Sequence, residues 1–352
     1  MTAQRTDWSV LAAVPQPVYA GHLDTAGSIA GDRVALTSLL EKHDWAGLSW
    51  PELLDGLTAI GRTDIPLARL AEGHIDALRI LCQAGRAPTP GSLYGVWASR
   101  SRGGGLSAIR ELDRFQLSGT VPFASGSGLL DRALVTAVVQ PRPGMGPVAA
   151  QQEQLLLDVD VHDWTPDLDS WQTTAMGASR SFTVAVRDRS VPDYGQVGTA
   201  GFYLGRPGFF PGGIGVAAVW VGAAARVADL VSGFVSGSPS GPDQATRINL
   251  GKLRLEVSTA HALVRHAGAQ LGAALESPTS SWCGHNLQDL ATEVRAGVGA
   301  AVRRLLDTSR TLAGPAGLAH AADLSGAIAD LDLYVRQQHS DRDAEQLAGH
   351  AS

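Results

Sequence analysis

Apolar residues recur at helical spacing through the first ninety positions. Ile29 to His43 carries Ile29, Val34, Leu36, Leu39 and Leu40, which predicts one amphipathic helix. Pro51 opens a second, Glu52 to Ile60, from the first-turn position that tolerates a missing N–H. Asp64 can cap a third, with Pro66 near its start, and that helix runs through Leu67, Leu70, Ile75, Leu78 and Ile80 to Cys82. The stretch Ala84 to Gly91 then breaks the pattern with two prolines and two glycines.

From Ser92 to about Arg206 the period changes. Phe115–Leu117, Ala133–Val139, Gln154–Val161 and Phe182–Val186 are short runs rich in branched and aromatic residues, separated by Gly, Pro and Asp. They read as strands of an antiparallel, barrel-like domain. Helical character returns at Gly213, followed by helices near Ala245–Leu275, Asn286–Leu312 and Ala321–Leu347, which suit an antiparallel four-helix bundle. Helices, then strands, then helices give an α+β protein with three expected domains: 1–90 helical, 91–208 β-barrel, 209–352 helical bundle. That order disfavours a Rossmann fold. Gly213-Ile-Gly-Val-Ala-Ala218 matches a dinucleotide-turn pattern but lacks the preceding strand, so it reads as the start of a close-packed helix.

Composition narrows the function classes. The 352 residues are 44% hydrophobic and 18% charged with a formal net charge of −6, a globular profile. No basic stripe marks a nucleic-acid partner. The two cysteines, Cys82 and Cys283, have neither CxxC spacing nor a nearby histidine pair, so no metal site is expected and a reducing compartment fits. His261 and His266 lie five apart and read as helix-surface residues. The first twenty residues lack a signal-peptide order. The apolar run Val216–Val235 contains Arg226 and Asp229, which predicts a buried helix rather than a membrane span. A cytoplasmic protein is expected.

Four segments in order resemble the acyl-CoA dehydrogenase superfamily, including its flavin-dependent monooxygenase-like members. They are Gly61–Leu81; the pair LYGVWAS and LSGTVPFASGSGLLDRALVTAVV; Trp171–Pro192; and Asp330–Leu347. The resemblance implies an N-terminal helical domain, a middle β domain and a C-terminal bundle. It implies that Tyr94, Val96, Trp97, Ala98 and Ser99 on one strand, with Phe123, Ala124 and Ser125 on another, hold a flavin: FAD, with FMN or none as alternatives. Such a ring needs a flat apolar wall and polar groups near N5 and the pyrimidine edge, which Ser125 Oγ and backbone N–H groups would supply. On the residues alone, Phe123 also reads as the core of a β-hairpin. Arg180 would face the mouth of the site. His339 falls where the family places its base, and on the residues alone it is also a solvated helix end.

The chain departs from the family's pattern. The dehydrogenases' catalytic Glu has no counterpart in the segment resembling it. Their Arg-x-x-Phe-Gly element has Arg247 as its nearest candidate, echoed only by Leu250-Gly251. Gly103 to Gly105 could present N–H groups to a phosphate. Three functions follow: a flavin oxidoreductase oxidising an acyl thioester or related small molecule, a monooxygenase using reduced flavin and oxygen, and a repurposed binding or scaffold protein. Ala- and Gly-rich C-terminal helices such as Ala296–Ala301, and the family's habit of pairing through this bundle, imply a homodimer or homotetramer.

Overall fold

The computed structural model describes residues 11, 13–17, 23, 28–99, 104–140, 153–237, 241–276 and 284–349. Cys283 and Gly103 lie outside them. The chain divides into two compact units, one made of 1–22, 48–68 and 213–352, the other of 23–47 and 69–212. The 91–208 stretch falls wholly in the second unit, whereas the first ninety residues are shared between the two.

The second unit holds α1 (Ile29–Leu40), most of α3 (Ile65–Gln83), the short α4 (Phe202–Gly205) and all the strands. These are β1 (Tyr94–Trp97), β2 (Gly105–Arg110), β3 (Arg114–Ala124), β4 (Arg132–Gln140), β5 (Gln154–Asp160), β6 (Pro166–Asp167) and β7 (Phe182–Pro192). They form one seven-stranded sheet that is mixed, not antiparallel as the sequence suggested. The central strand explains why. One edge of β4 pairs antiparallel with β5. Its other edge takes two parallel strands end to end: β1 against Arg132–Val135 and β2 against Ala137–Gln140. Residues Ala133 to Val138 are all buried, as in a strand covered on both faces. From β2 the sheet continues antiparallel through β3, β7 and β6. Ala77, Ile80 and Leu81 of α3 pack on Tyr94, Leu134, Leu156 and Val197 to form a core against the sheet.

The first unit is helical: α2 (Trp50–Thr63), α5 (Phe209–Ser236, from Gly213 on), α6 (Gln244–Glu276), α7 (Gly284–His320), α8 (Ala322–Val335) and α9 (Ser340–Gly349). Pro51 sits in the first turn of α2, with Ser49 and Glu52 closing a capping box. The Gly213–Ala218 run lies inside α5. Helix α5 is long and apolar enough to cross a membrane by length and composition. Its two charges are bonded within the unit: Asp229 pairs with Arg62 at 2.9 Å, and Arg226 donates to Thr63 O at 2.6 Å. The helix expected to end at Leu312 runs on to His320 across a break at Gly314 (φ 57°), ahead of Pro315. The expected last helix is two, interrupted at 336–339 by short turns. His261 is buried at 5% exposure, correcting its surface assignment, because its face of α6 is the one that meets α2.

Helices α2 and α5 touch backbone to backbone. A Cβ on Gly222 would stand 2.0 Å from Thr58 O, and one on Gly61 2.4 Å from Val219 O. Gly233, in the same α5, has nothing within 4 Å of such a Cβ. Urea unfolding should therefore separate them. Gly222→Ala is expected to cost about 2 kcal/mol or more through overpacking. Gly233→Ala should be neutral or stabilising by up to about 1 kcal/mol, since alanine is the better helix former.

Candidate active site

Two irregular turns of the second unit meet and satisfy each other's polar groups. The first follows β3, whose register against β7 shifts between Val121 and Ala124. Phe123 there adopts a left-handed backbone (φ 55°), a cost of about 1 kcal/mol or more for such a residue. The residue is 55% exposed, and its ring stands edge-to-face with Trp171, with centroids 6.3 Å apart and planes at 87°. The hairpin-core reading of Phe123 is thereby ruled out. The chain then reverses: Ser125 N–H donates to Phe123 O at 2.9 Å and Ser127 N–H to Ala124 O at 3.0 Å.

The second turn spans Met176 to Arg180, both left-handed (φ 56° and 48°). Gly126 N–H donates to Ser179 O at 2.9 Å, and Ser127 Oγ to Arg180 O at 2.9 Å. Arg180 Nε returns a bond to Ser127 O at 3.0 Å, and its guanidinium lies 5.5 Å over the Phe182 ring. Burial lowers the Arg180 pKa, opposed by the charge of Asp32. Between the turns runs a line of three buried hydroxyls. Ser125 Oγ lies 2.8 Å from Ser181 Oγ, which lies 2.8 Å from Ser179 Oγ, which donates to Met176 O at 2.7 Å.

Strand β1 is anchored beside them. Trp97 Nε1 donates to Ser125 O at 2.9 Å. Asp131 accepts from Leu93 N–H at 2.8 Å, and both its oxygens accept from Arg33 Nη2, at 3.0 and 3.1 Å, so β1 and β4 start in register. Tyr94 N–H donates to His74 Nδ1 at 3.0 Å. That contact fixes the neutral imidazole with its proton on Nε2, and burial lowers the His74 pKa to about 4. A cavity of about 10 Å³, room for one water, is lined by Arg69, Gly73, Tyr94, Gly95, Val96, Ser125 and Leu130.

No family model matches the chain, and no curated protein sequence matches it. Solved structures do. Dibenzothiophene monooxygenase TdsC of Paenibacillus sp. A11-2, in complex with FMN and indole, superposes with a TM-score of 0.74 at 15% identity, covering 97% of this chain and 93% of its own. XiaF of Streptomyces sp., in complex with FADH2 and glycerol, gives 0.70 at 18% identity, covering 91% and 86%. Butyryl-CoA dehydrogenase of Megasphaera elsdenii gives 0.71 at 13% identity, covering 93% and 91%. This chain has the acyl-CoA dehydrogenase fold.

Within the acyl-CoA dehydrogenase fold of this chain, the expected flavin residues divide by side-chain direction. Val96 and Ala98 are half-buried and Ser99 is exposed, while Ala124 is buried. Tyr94 is fully buried in the core, its hydroxyl accepting from Thr89 N–H at 2.9 Å. Trp97 is buried and spends its one donor on Ser125 O, so it supports the turn from behind. Phe123 remains as an exposed aromatic ring, while Val96 and Ser125 share the wall of the one-water cavity. An exposed aromatic ring fits the flat, apolar faces of an isoalloxazine. Arg247, in the first turn of α6, donates to Pro242 O at 2.7 Å and is otherwise exposed. His339 is exposed and precedes α9, where its carbonyl accepts Asp343 N–H at 3.0 Å. Sequence reading missed His74, Trp171, Ser179 and Ser181; the small hydroxyls flanking Arg180 were the available signal for the last two.

Two measurements probe this arrangement. Trp97→Phe keeps the volume roughly but leaves Ser125 O without that donor, and should cost about 1–3 kcal/mol in denaturant unfolding. Because the folded His74 pKa lies below the unfolded value of 6.5, the unfolded chain binds the extra proton. Stability should be full above about pH 6.5 and fall by about 3 kcal/mol as pH drops to 4. His74→Gln, which can still accept from Tyr94 N–H, should lack this part of the pH dependence.

Proposed function

We propose that this protein is a flavin-dependent oxidoreductase of the monooxygenase kind, acting on a small molecule with reduced flavin and oxygen. The observation that carries it is Phe123: a large aromatic ring held out of the core, at a backbone cost, beside a buried hydroxyl. A ring so placed is explained by a flat ligand that covers it. Bound there, a flavin would supply the redox chemistry. The chain's own part is to offer Phe123 as the apolar face and to keep the turn rigid through Arg180 and Trp97. The resemblance assigns acid–base work to His339, and the lack of the dehydrogenases' Glu favours oxygen chemistry over acyl-thioester oxidation. The fold's presence in TdsC and XiaF supports the same choice.

The purified protein should perturb the visible spectrum of added FMN or FAD and should consume oxygen when reduced FMN is supplied. Phe123→Ala is expected to weaken flavin binding about tenfold or more while leaving the melting temperature nearly unchanged, because the ring is exposed. A matching loss of stability would place Phe123 in the core instead. His339→Ala should slow turnover about a hundredfold without unfolding. A second reading, a repurposed binding protein without flavin, is favoured by Arg247 being turned back onto its own helix start. FMN that stays unbound in both redox states would establish it. A homodimer or homotetramer is proposed with either reading, and light scattering at the mass of one chain, 36.7 kDa, would refute it.

A further inference from the structure

The sheet opens between its last two strands, away from both turns of the candidate active site. Strand β6 pairs with β7 at two positions, Pro166 with Val184 and Asp167 with Thr183. Ahead of them the chain at 163–165 parts from β7 and is caught again by Arg189, which donates to the Asp163 carboxylate and, at 3.2 Å, to Asp163 O. Between the two attachments stands a cavity of about 340 Å³, lined by Trp164, Thr165 and the β7 residues Ala185 to Arg189. A volume of that size is in the range of sites that take small molecules.

The lining combines an aromatic wall with an unpaired cation. Trp164 is buried and packs on Trp97, with centroids 6.1 Å apart and planes at 46°, so its indole is fixed in place. The other charges around it are committed. Asp163 is held by Arg189. Asp188 accepts from Ser118 Oγ at 2.9 Å and its N–H donates to the same oxygen at 3.1 Å, which draws its carboxylate toward β3. Arg187 is exposed and makes no ion pair with any described residue. Main-chain groups add to it. Thr183 N–H points to the β6 side, donating to Ser170 Oγ at 2.8 Å, and the alternation of a strand turns Ala185 N–H the same way, into the opening.

We propose that this opening is a binding site for a small aromatic carboxylate. The planar fork of the Arg187 guanidinium matches a carboxylate, and Trp164 is the wall against which a flat ring lies. Thr165 and Ala185 N–H supply donors beside the charge. An inorganic anion would leave Trp164 unused, and a neutral ring would leave Arg187 unused. None of the lining residues belongs to the turns at 123–128 and 176–181, so the proposal does not rest on the flavin reading.

The test is calorimetric titration of the full chain with 2-naphthoate, with the neutral 2-naphthamide and inorganic phosphate as comparisons, each with and without saturating FMN. The wild type should bind naphthoate about tenfold or more tightly than either comparison, the size expected for one charge-assisted hydrogen bond. Added FMN should leave that affinity unchanged. Arg187→Gln should weaken naphthoate about tenfold or more, whereas Arg254→Gln, at an exposed arginine of α6, should not. Trp164→Leu should weaken naphthoate and leave phosphate as it was. If that variant does not fold, Arg187→Gln decides, since an exposed side chain can be changed without unfolding the chain. No binding of naphthoate at millimolar concentration, an affinity indifferent to Arg187→Gln, phosphate binding as tightly as naphthoate, or displacement of naphthoate by FMN would each overturn the proposal while leaving the flavin reading intact. Failure of FMN to bind would overturn the flavin reading, and the effect of Arg187→Gln would still decide this one.

Discussion

The meeting of two irregular turns, 123–128 and 176–181, is what the candidate site depends on. Neither could persist alone. The first holds Phe123 and the second Met176 and Arg180 in left-handed conformations, which a free peptide would abandon. Together they exchange backbone and side-chain hydrogen bonds until little polar capacity is left over. The two sequences come from the end of β3 and the approach to β7, which already pair in the sheet. The sheet thus brings the turns together, and the turns aim Phe123 and Ser125.

Rigidity extends outward from that knot by a few directed contacts. Trp97 ties β1 to the first turn through its single indole donor. Asp131 collects the Leu93 amide and Arg33 Nη2, which holds the start of β1 beside the start of β4. His74 receives the next amide of β1 while remaining uncharged, a choice that burial imposes on it. The helical unit obeys a different rule. There, glycines let α2 and α5 approach until side chains no longer separate their backbones, and Arg62 bridges to Asp229 beside the contact.

Much of this was legible in the residue pattern, and the failures have physical reasons. Local signals read well: Pro51 in a first turn, Asp64 capping Leu67 N–H at 2.7 Å, and the break at Ala84 to Gly91. The four segments resembling the flavoproteins pointed to the right fold. The parallel pairings of β4 were missed because partner choice is non-local, although its unbroken apolar run is what burial on both faces produces. Phe123 defeats a rule based on hydrophobicity, since its backbone conformation and not its side chain decides where the ring goes. His261 was misjudged because spacing relative to His266 says nothing of which face meets α2. The interruption at 336–339 has no proline or glycine to announce it; Gln338 is instead drawn inward, where its carbonyl accepts from Arg303 at 3.2 Å.

The end-to-end seating of β1 and β2 along one edge of β4 has an evolutionary consequence. Both strands are registered by β4 and not by each other, so the pairing of the sheet sets no length for the sequence between them. That length can change while the strands on either side stay where they are. Descendants of this chain could therefore acquire new ligand preferences there by insertion, at little cost to folding. The scaffold and the part of the sequence open to selection for new chemistry are, at this edge of the sheet, separately inherited.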